Sequence, residues 1–446
     1  MEREGTLNNQ ISKLSKKFLE VSEDQDVHII SHFDTDGISS ASIMIQSLKK
    51  LDKNFSLKIV KNLEKEFIAK LPKDKIFLFL DLASDSLDAI SKLEAKHIFI
   101  IDHHEIDESK IQEDVHIINP ELHDQQKMSS SGLTYLFCKE LNEENKEFAK
   151  LAILGMIGDK LEKEIDTMNN EILNDKEIQI KKGALIFPST RPLNRVLEYS
   201  SSPFIPGVTG NVKGVLELMK DADLSPTEKG YPSLLELNEE EMEKLVMAIM
   251  LRNPNTKDKE IVGNIYLINL YNKLEDAREI SSKINACSKL DDSNTALQFC
   301  MEVPSAKKKA EAKHAKYRQH IISALKFVSD AEKIQGKDYT IINAQENIKE
   351  AMVGTIASIL SNSKIYEPGT TIITLAYSKE EKIKVSARNV GRVGRNVKEL
   401  LTNANSKFDG IIGGHEFAAG CLIEKEFETE FINHLKKSLE IETIKI

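Results

Sequence analysis

The chain has 446 residues, 40% of them hydrophobic and 30% charged, so it should divide into two or three globular domains rather than build one core. Its net charge of −10 argues against a broad surface that coats nucleic acid, but leaves room for a local basic groove. No apolar run approaches the roughly 18–20 residues of a bilayer span, and Met1-Glu2-Arg3-Glu4-Gly5 lacks the pattern of a secretory signal, so no membrane partner is expected. The four cysteines, Cys138, Cys287, Cys300 and Cys421, lack zinc-type spacing and read as reduced core residues of a cytoplasmic protein.

The first 160 residues or so alternate short β-like runs with helical stretches, the pattern of βαβ units around a parallel sheet. Strands are expected at 27–31, 57–60, 76–81, 98–102 and 115–118, and helices at 39–50, 86–95 and 133–141. Ser84 or Asp85 is the expected N-cap of the second helix, and Ser129-Ser130-Ser131-Gly132 precedes the third. After about residue 185 the chain becomes turn-rich, then Asn238, followed by three glutamates, caps an amphipathic helix through Met250. A long basic stretch from 306 to about 330, free of Gly and Pro, predicts a rigid connector helix. Strand-like 340–343, 371–375 and 383–386 and helical 354–360 and 430–439 follow. The expected organisation is a parallel-sheet α/β domain at 1–185, a mostly helical middle segment at 186–305, a connector helix at 306–335 and a smaller α/β domain at 336–446.

Acidic and imidazole side chains recur where apolar elements end. Asp102-His103-His104 ends the run 97–101, His32-Phe33-Asp34-Thr35-Asp36-Gly37 ends the first, Asp81 ends the third, and Asp159 closes 151–159. Such ends converge at one edge of an α/β sheet, where ligands bind. His32, Asp34 and Asp36 alternate, so they would face one way if the extended backbone continued, with Gly37 permitting a sharp turn. With Asp81, Asp102, His103, His104 and Asp159 there are enough donors for two divalent cations, and the imidazoles favour Mn2+ over Mg2+. Two metals about 3.5–4 Å apart suit phosphoester hydrolysis. Each residue alone has an ordinary explanation, a surface turn for 32–37 or a capping carboxylate for Asp81, but their ordered joint occurrence points to function. His28, His97, His116 and His123 fall outside the pattern and read as structural.

The series His32-x-Asp34-x-Asp36-Gly37, Asp81, Asp102-His103-His104 and Asp159 resembles the DHH phosphoesterase superfamily. The resemblance implies that His32, Asp34 and Asp81 hold one metal, and that Asp36, Asp81, His103 and Asp159 hold the other, with Asp81 bridging. It implies that His104 faces the scissile phosphate and that Asp102 orients imidazole. Gly413-Gly414-His415-Glu416-Phe417-Ala418-Ala419-Gly420 is similar to the glycine-rich motif of the DHH-associated C-terminal domain, expected as a loop, with Ile412 where the family usually has a further glycine. Val385-Ser386-Ala387-Arg388 matches that domain's substrate-binding strand. Gly413, Gly414, His415, Ser386 and Arg388 are thus the expected substrate contacts, the glycines by backbone N–H approach and Arg388 by paired hydrogen bonds to phosphate.

Length, connector and middle segment resemble RecJ-like single-strand exonucleases, the archaeal type in particular, through 191–195, 200–207 and 276–279. This implies an enzyme that removes nucleotides from an end of single-stranded DNA, or RNA, in replication or repair. Phe187, Tyr199 and Phe204 are candidate base-stacking residues, with core packing the commoner role, and Arg392 and Arg395 belong to a C-terminal basic cluster. Two alternatives stay open: a phosphodiesterase for short oligoribonucleotides or cyclic dinucleotides, and a replisome-associated scaffold that binds GINS.

Overall fold

Continuous apolar runs such as Ile76-Phe77-Leu78-Phe79-Leu80 can pack only if both faces of their sheet are covered. The computed structural model describes residues 6–441 except 124–126, 164, 166, 175–176, 201–202, 204, 229, 254–260, 364, 380, 392 and 409, so Phe204 and Arg392 lie outside the described residues. It divides into two compact units, Met1–His314 and Ala315–Ile446.

In the first unit, β1 (Val27–His32), β2 (Phe55–Val60), β3 (Ile76–Leu80), β4 (His97–Ile101) and β5 (Val115–Ile118) form a parallel sheet in the order β2-β1-β3-β4-β5. Ile76, Leu78 and Leu80 pack in one core with the helices Leu7–Val21, Thr35–Lys50, Ser130–Leu141 and Ala149–Gly158. Phe77 and Phe79 pack in a second core on the opposite face. Beyond it, β6 (Ile178–Ala184), β7 (Val262–Leu270) and β8 (Lys273–Asp276) make a small antiparallel sheet. The helices Leu193–Glu198, Val212–Asp221 and Glu239–Arg252 share a third core with it, and Asn238 and Glu241 close the last of these helices in a reciprocal capping box.

The helix Pro304–Asp330 has 27 residues, about 40 Å at 1.5 Å per residue, and joins the two units. In the second unit, β9 (Ile334–Gln335), β10 (Tyr339–Asn343), β11 (Thr371–Tyr377), β12 (Lys382–Asn389), β13 (Ile411–His415) and β14 (Ala418–Glu424) form a sheet ordered β13-β14-β12-β11-β10-β9. Only β10 and β11 run parallel in it. The helices Val397–Asn405 and Glu428–Ile441 fill its core face. All four cysteines are buried and free, and among the described residues no helix is long and apolar enough to cross a membrane.

Three local expectations are corrected. The stretch 86–95 holds a single helical turn, Leu87–Ile90, without a side-chain cap. Ser84 spends its backbone N–H on Asp102 instead, and burying Leu87 and Ile90 needs one turn only. The helix expected at 39–50 begins at Thr35, because Asp34 caps it by accepting from Gly37 N at 3.0 Å. The Gly413-Gly414 stretch is a strand of a hairpin rather than a loop.

Candidate metal centre

The parallel sheet delivers its strands to one edge, and the following residues carry the chemistry. Asp81 and Asp102 each extend the ladder one residue past their strand, donating N–H to Ile101 O at 2.9 Å and to Ile118 O at 3.1 Å. At Asp81 the chain then turns through a left-handed conformation, φ 61, which aspartate tolerates better than most residues. The early start of the helix at Thr35 ends the alternation expected through 32–36, so Asp34 sits at the N-cap and Asp36 in the first turn. Gly37 is needed for close approach rather than for a special φ, since a Cβ there would lie 2.3 Å from His32 O.

All six expected metal ligands meet. His32 Nδ1 lies 3.3 Å from Asp34 Oδ2 and 3.2 Å from Asp81 Oδ2. His103 Nε2 lies 3.5 Å from Asp81 Oδ1, 3.4 Å from Asp159 Oδ2 and 4.0 Å from Asp36 Oδ2. The two oxygens of Asp81 are therefore divided between two imidazoles. Asp81 Oδ1 and Asp159 Oδ2 are buried without a hydrogen-bond partner, a costly state that a cation would relieve. Donor sets His32/Asp34/Asp81 and Asp36/His103/Asp159 each converge within 4.8 Å, as do Asp81, His103 and His104, and this oxygen–nitrogen chemistry fits divalent cations.

Asp102 is fully buried and belongs to none of these groups. It accepts from Ser84 N at 3.0 Å, His103 N at 2.8 Å and His104 Nδ1 at 2.7 Å. Burial resists ionisation of Asp102, but the His104 hydrogen bond and charge outweigh it and hold the carboxyl well below the usual range. Burial likewise disfavours a charged His104, yet bonding to Asp102 raises its pKa. The ring is thereby oriented with Nδ1 engaged, and Nε2 is left for another partner.

Sequence patterns missed the supports of this site. Ser130 N and Ser131 N, at the start of their helix, donate to Asp36 at 2.7 and 3.0 Å. Asn119 Nδ2 donates to Ser84 Oγ at 3.0 Å and to His104 O at 2.9 Å. A Cβ on Gly155 would lie 2.1 Å from Asp36 Oδ1, so one wall of the site must lack a side chain. Ser129-Ser130-Ser131-Gly132 was the one visible signal, as a capping sequence whose N–H groups could take a carboxylate.

The crowding of acids has a pH consequence. Burial, then the charges of Asp34, Asp36 and Asp102, push Asp81 well above the usual carboxylate range, and burial with Asp36, Asp34 and Asp81 does the same to Asp159. A raised folded-state pKa contributes stability below the unfolded value of about 3.9 and loses it as pH rises through the folded value. Asp34, which His32 and the Gly37 N–H hold low against burial, and Asp102 act oppositely, in a window below about 3.9. As pH rises above about 3.9 and through those raised values, the metal-free protein is therefore expected to lose stability, and a cation that replaces the protons restores it. Mn2+ at 1,000 times its Kd adds about 4 kcal/mol. The gain in melting temperature over a chelated sample should grow with pH; a gain that shrinks as pH rises contradicts this reading.

In the second unit, the register aligns Ser386, Gly420 and Gly413, and next to them Arg388, Ala418 and His415. Directly opposed residues share a face, and Ser386 and Arg388 are two apart, so Ser386, Arg388, Gly413 and His415 lie on the face opposite the core residues Val385, Ala387, Ala419 and Cys421. Gly414 has φ 123, and a Cβ there would meet Ala418 O at 2.4 Å. Arg388 is held by Ser358 Oγ at 3.4 Å and by the carbonyls of Ala387 and Ala419 at 2.9 and 3.2 Å. Burial lowers its pKa. Of the other candidates, Arg395 binds Asp338 and Leu439 O, Phe187 lies under the Arg278 guanidinium at 5.5 Å, and Tyr199 is exposed.

Comparison with known proteins matches three family models: the DHH family N-terminal domain over residues 26–156, the DHH-CID domain over 187–259 and the DHHA1 domain over 336–440. An uncharacterized protein from Methanocaldococcus jannaschii is 28% identical, with 92% of each chain covered. Among solved structures, exonuclease RecJ bound to manganese is 16% identical with a TM-score of 0.58, covering 97% of this chain and 93% of that one. CDC45 from Entamoeba histolytica is 11% identical with a TM-score of 0.69, covering 97% and 99%. At such identities the structural likeness is one of fold. With these three domains in this order on a RecJ-like fold, the chain belongs to the DHH superfamily.

Proposed function

We propose that the protein is a metal-dependent exonuclease that hydrolyses phosphodiester bonds from an end of single-stranded DNA, or of RNA. The observation that carries this reading is Asp81, whose two oxygens face His32 and His103 separately, as a carboxylate shared by two cations would. His32, Asp34 and Asp81 would hold one cation, and Asp36, Asp81, His103 and Asp159 the other. When bound, a pair of divalent cations, with Mn2+ favoured and Mg2+ the alternative, supplies Lewis acidity at the phosphoryl oxygens and lowers the pKa of water. His104, in the imidazolium form that bonding to Asp102 favours against burial, donates Nε2–H to the phosphate as negative charge grows there. Asp102 holds that ring and stays ionised. Ser386, Arg388, Gly413, Gly414 and His415 bind the strand through its phosphates, with the domains bounded near 185, 305 and 335.

Digestion of strands labelled at either end, as DNA and as RNA with manganese, tests the proposal. Nucleotides should leave one end of single strands while duplex persists, and intact single strands across pH and salt would overturn it. Faster cleavage of dinucleotides than of long strands would instead support the short-oligonucleotide alternative. A role alongside the replication machinery, with GINS as partner in the cytoplasm, is a second reading. It draws on the fold shared with CDC45 and on exposed apolar pairs at helical spacing, Val212 with Leu216 and Met247 with Leu251, within two of the three helices of the third core.

A further inference from the structure

The metal centre is walled by four aspartates, so a polyanionic strand needs cations at its rim. Phe33 lies between the ligands His32 and Asp34 and is half-buried, with the His32 ring edge-on to it at 5.0 Å between centroids. Two ammonium groups from distant parts of the first unit converge on Phe33. Lys289 Nζ, from the last residue of the helix Ala277–Lys289, sits 4.9 Å from its centroid. Lys61 Nζ, one residue past β2, sits 5.9 Å away. Lys61 is also tethered to Asp291 Oδ1 at 2.5 Å, so both cations are anchored by the same helix end, one through its last residue and one through the turn after it. Lys61 is 57% exposed and Lys289 half-buried, so both ammonium heads border solvent beside the metal ligands. The aromatic face attracts ammonium groups and keeps two flexible side chains near one place before any ligand arrives. Lys289 lies outside the residues matched by all three family models.

We infer that Phe33, Lys61 and Lys289 form a phosphate clamp, which grips the backbone of a single nucleic-acid strand at phosphates next to the one being cleaved. The inference rests on the proposed action on nucleic acid, and it names the subsite that takes the neighbouring nucleotides. Lys61 and Lys289 make the contacts. Phe33 is a positioning residue that gathers them.

The test measures binding of a fluorescein-labelled thymidine 20-mer by anisotropy, with the full chain and calcium in place of manganese, from 50 to 200 mM salt. Each phosphate neutralised on a single strand contributes about 0.7 to the slope of log affinity against log salt. The double variant Lys61→Gln/Lys289→Gln should flatten the slope by about 1.4 and weaken binding about tenfold at 100 mM salt. Phe33→Leu, which keeps apolar bulk but removes the ring, should flatten it part-way, and both variants should melt like the wild type. With manganese, the double variant should raise KM on the 20-mer more than it lowers kcat. An unchanged slope and KM in the double variant would overturn the clamp. Failure of the wild type to digest the 20-mer would count against the exonuclease reading alone, because the salt slope needs no turnover.

Discussion

Asp81→Asn is expected to abolish manganese binding and turnover together. Asparagine keeps the left-handed turn at φ 61 and almost the same shape, so the change removes charge rather than fold. The carboxylate lost is the one both imidazoles face, and manganese affinity should fall by more than the 10–100-fold typical of an outer-sphere partner. Without metal, the variant should be at least as stable as the wild type, because a buried carboxylate crowded by Asp34 and Asp36 has been neutralised. Metal content, melting temperature with and without Mn2+, and nuclease rate separate these effects. A variant that keeps its metals and its rate contradicts the bridging role.

His104→Ala should behave in the opposite way toward metal. Its ring is fixed through Nδ1 to Asp102 and, in the proposed mechanism, adds one donor at the phosphate, so its loss should lower kcat by about 10²–10³ while metals stay bound. Because bonding to Asp102 raises the His104 pKa, the wild-type rate should fall as pH climbs through that raised value. The alanine variant should lose this alkaline limb. Loss of manganese from His104→Ala would move the residue from phosphate contact to metal ligation, a role that its approach to Asp81 and His103 makes worth measuring.

How far the sequence could be read depended on range. Strand ends were legible because a sheet buried on both faces writes continuous apolar runs, and the acids that follow Leu80 and Ile101 mark where each run stops. The alternation of His32, Asp34 and Asp36 suggested an extended segment, but a capping aspartate two residues after a strand starts a helix instead. The glycines at 413 and 414 suggested a loop, while the pairing that makes them a strand comes from Ala418–Glu424. Supports such as Asn119 beneath His104 depend on tertiary approach. The meeting of Lys61 with Asp291, 230 residues apart, leaves no mark in either local pattern.

Asp36 serves two masters. Its oxygens tie down the first N–H groups of the helix Ser130–Leu141, its own backbone belongs to the helix Thr35–Lys50, and its carboxylate presses on Gly155 of a third helix. An acid at this position is thus required by the architecture as well as by the proposed metal site. A descendant that abandoned hydrolysis could shed His32 or Asp159 freely, yet it would keep Asp36 as a keystone, so this aspartate alone is a poor witness to activity.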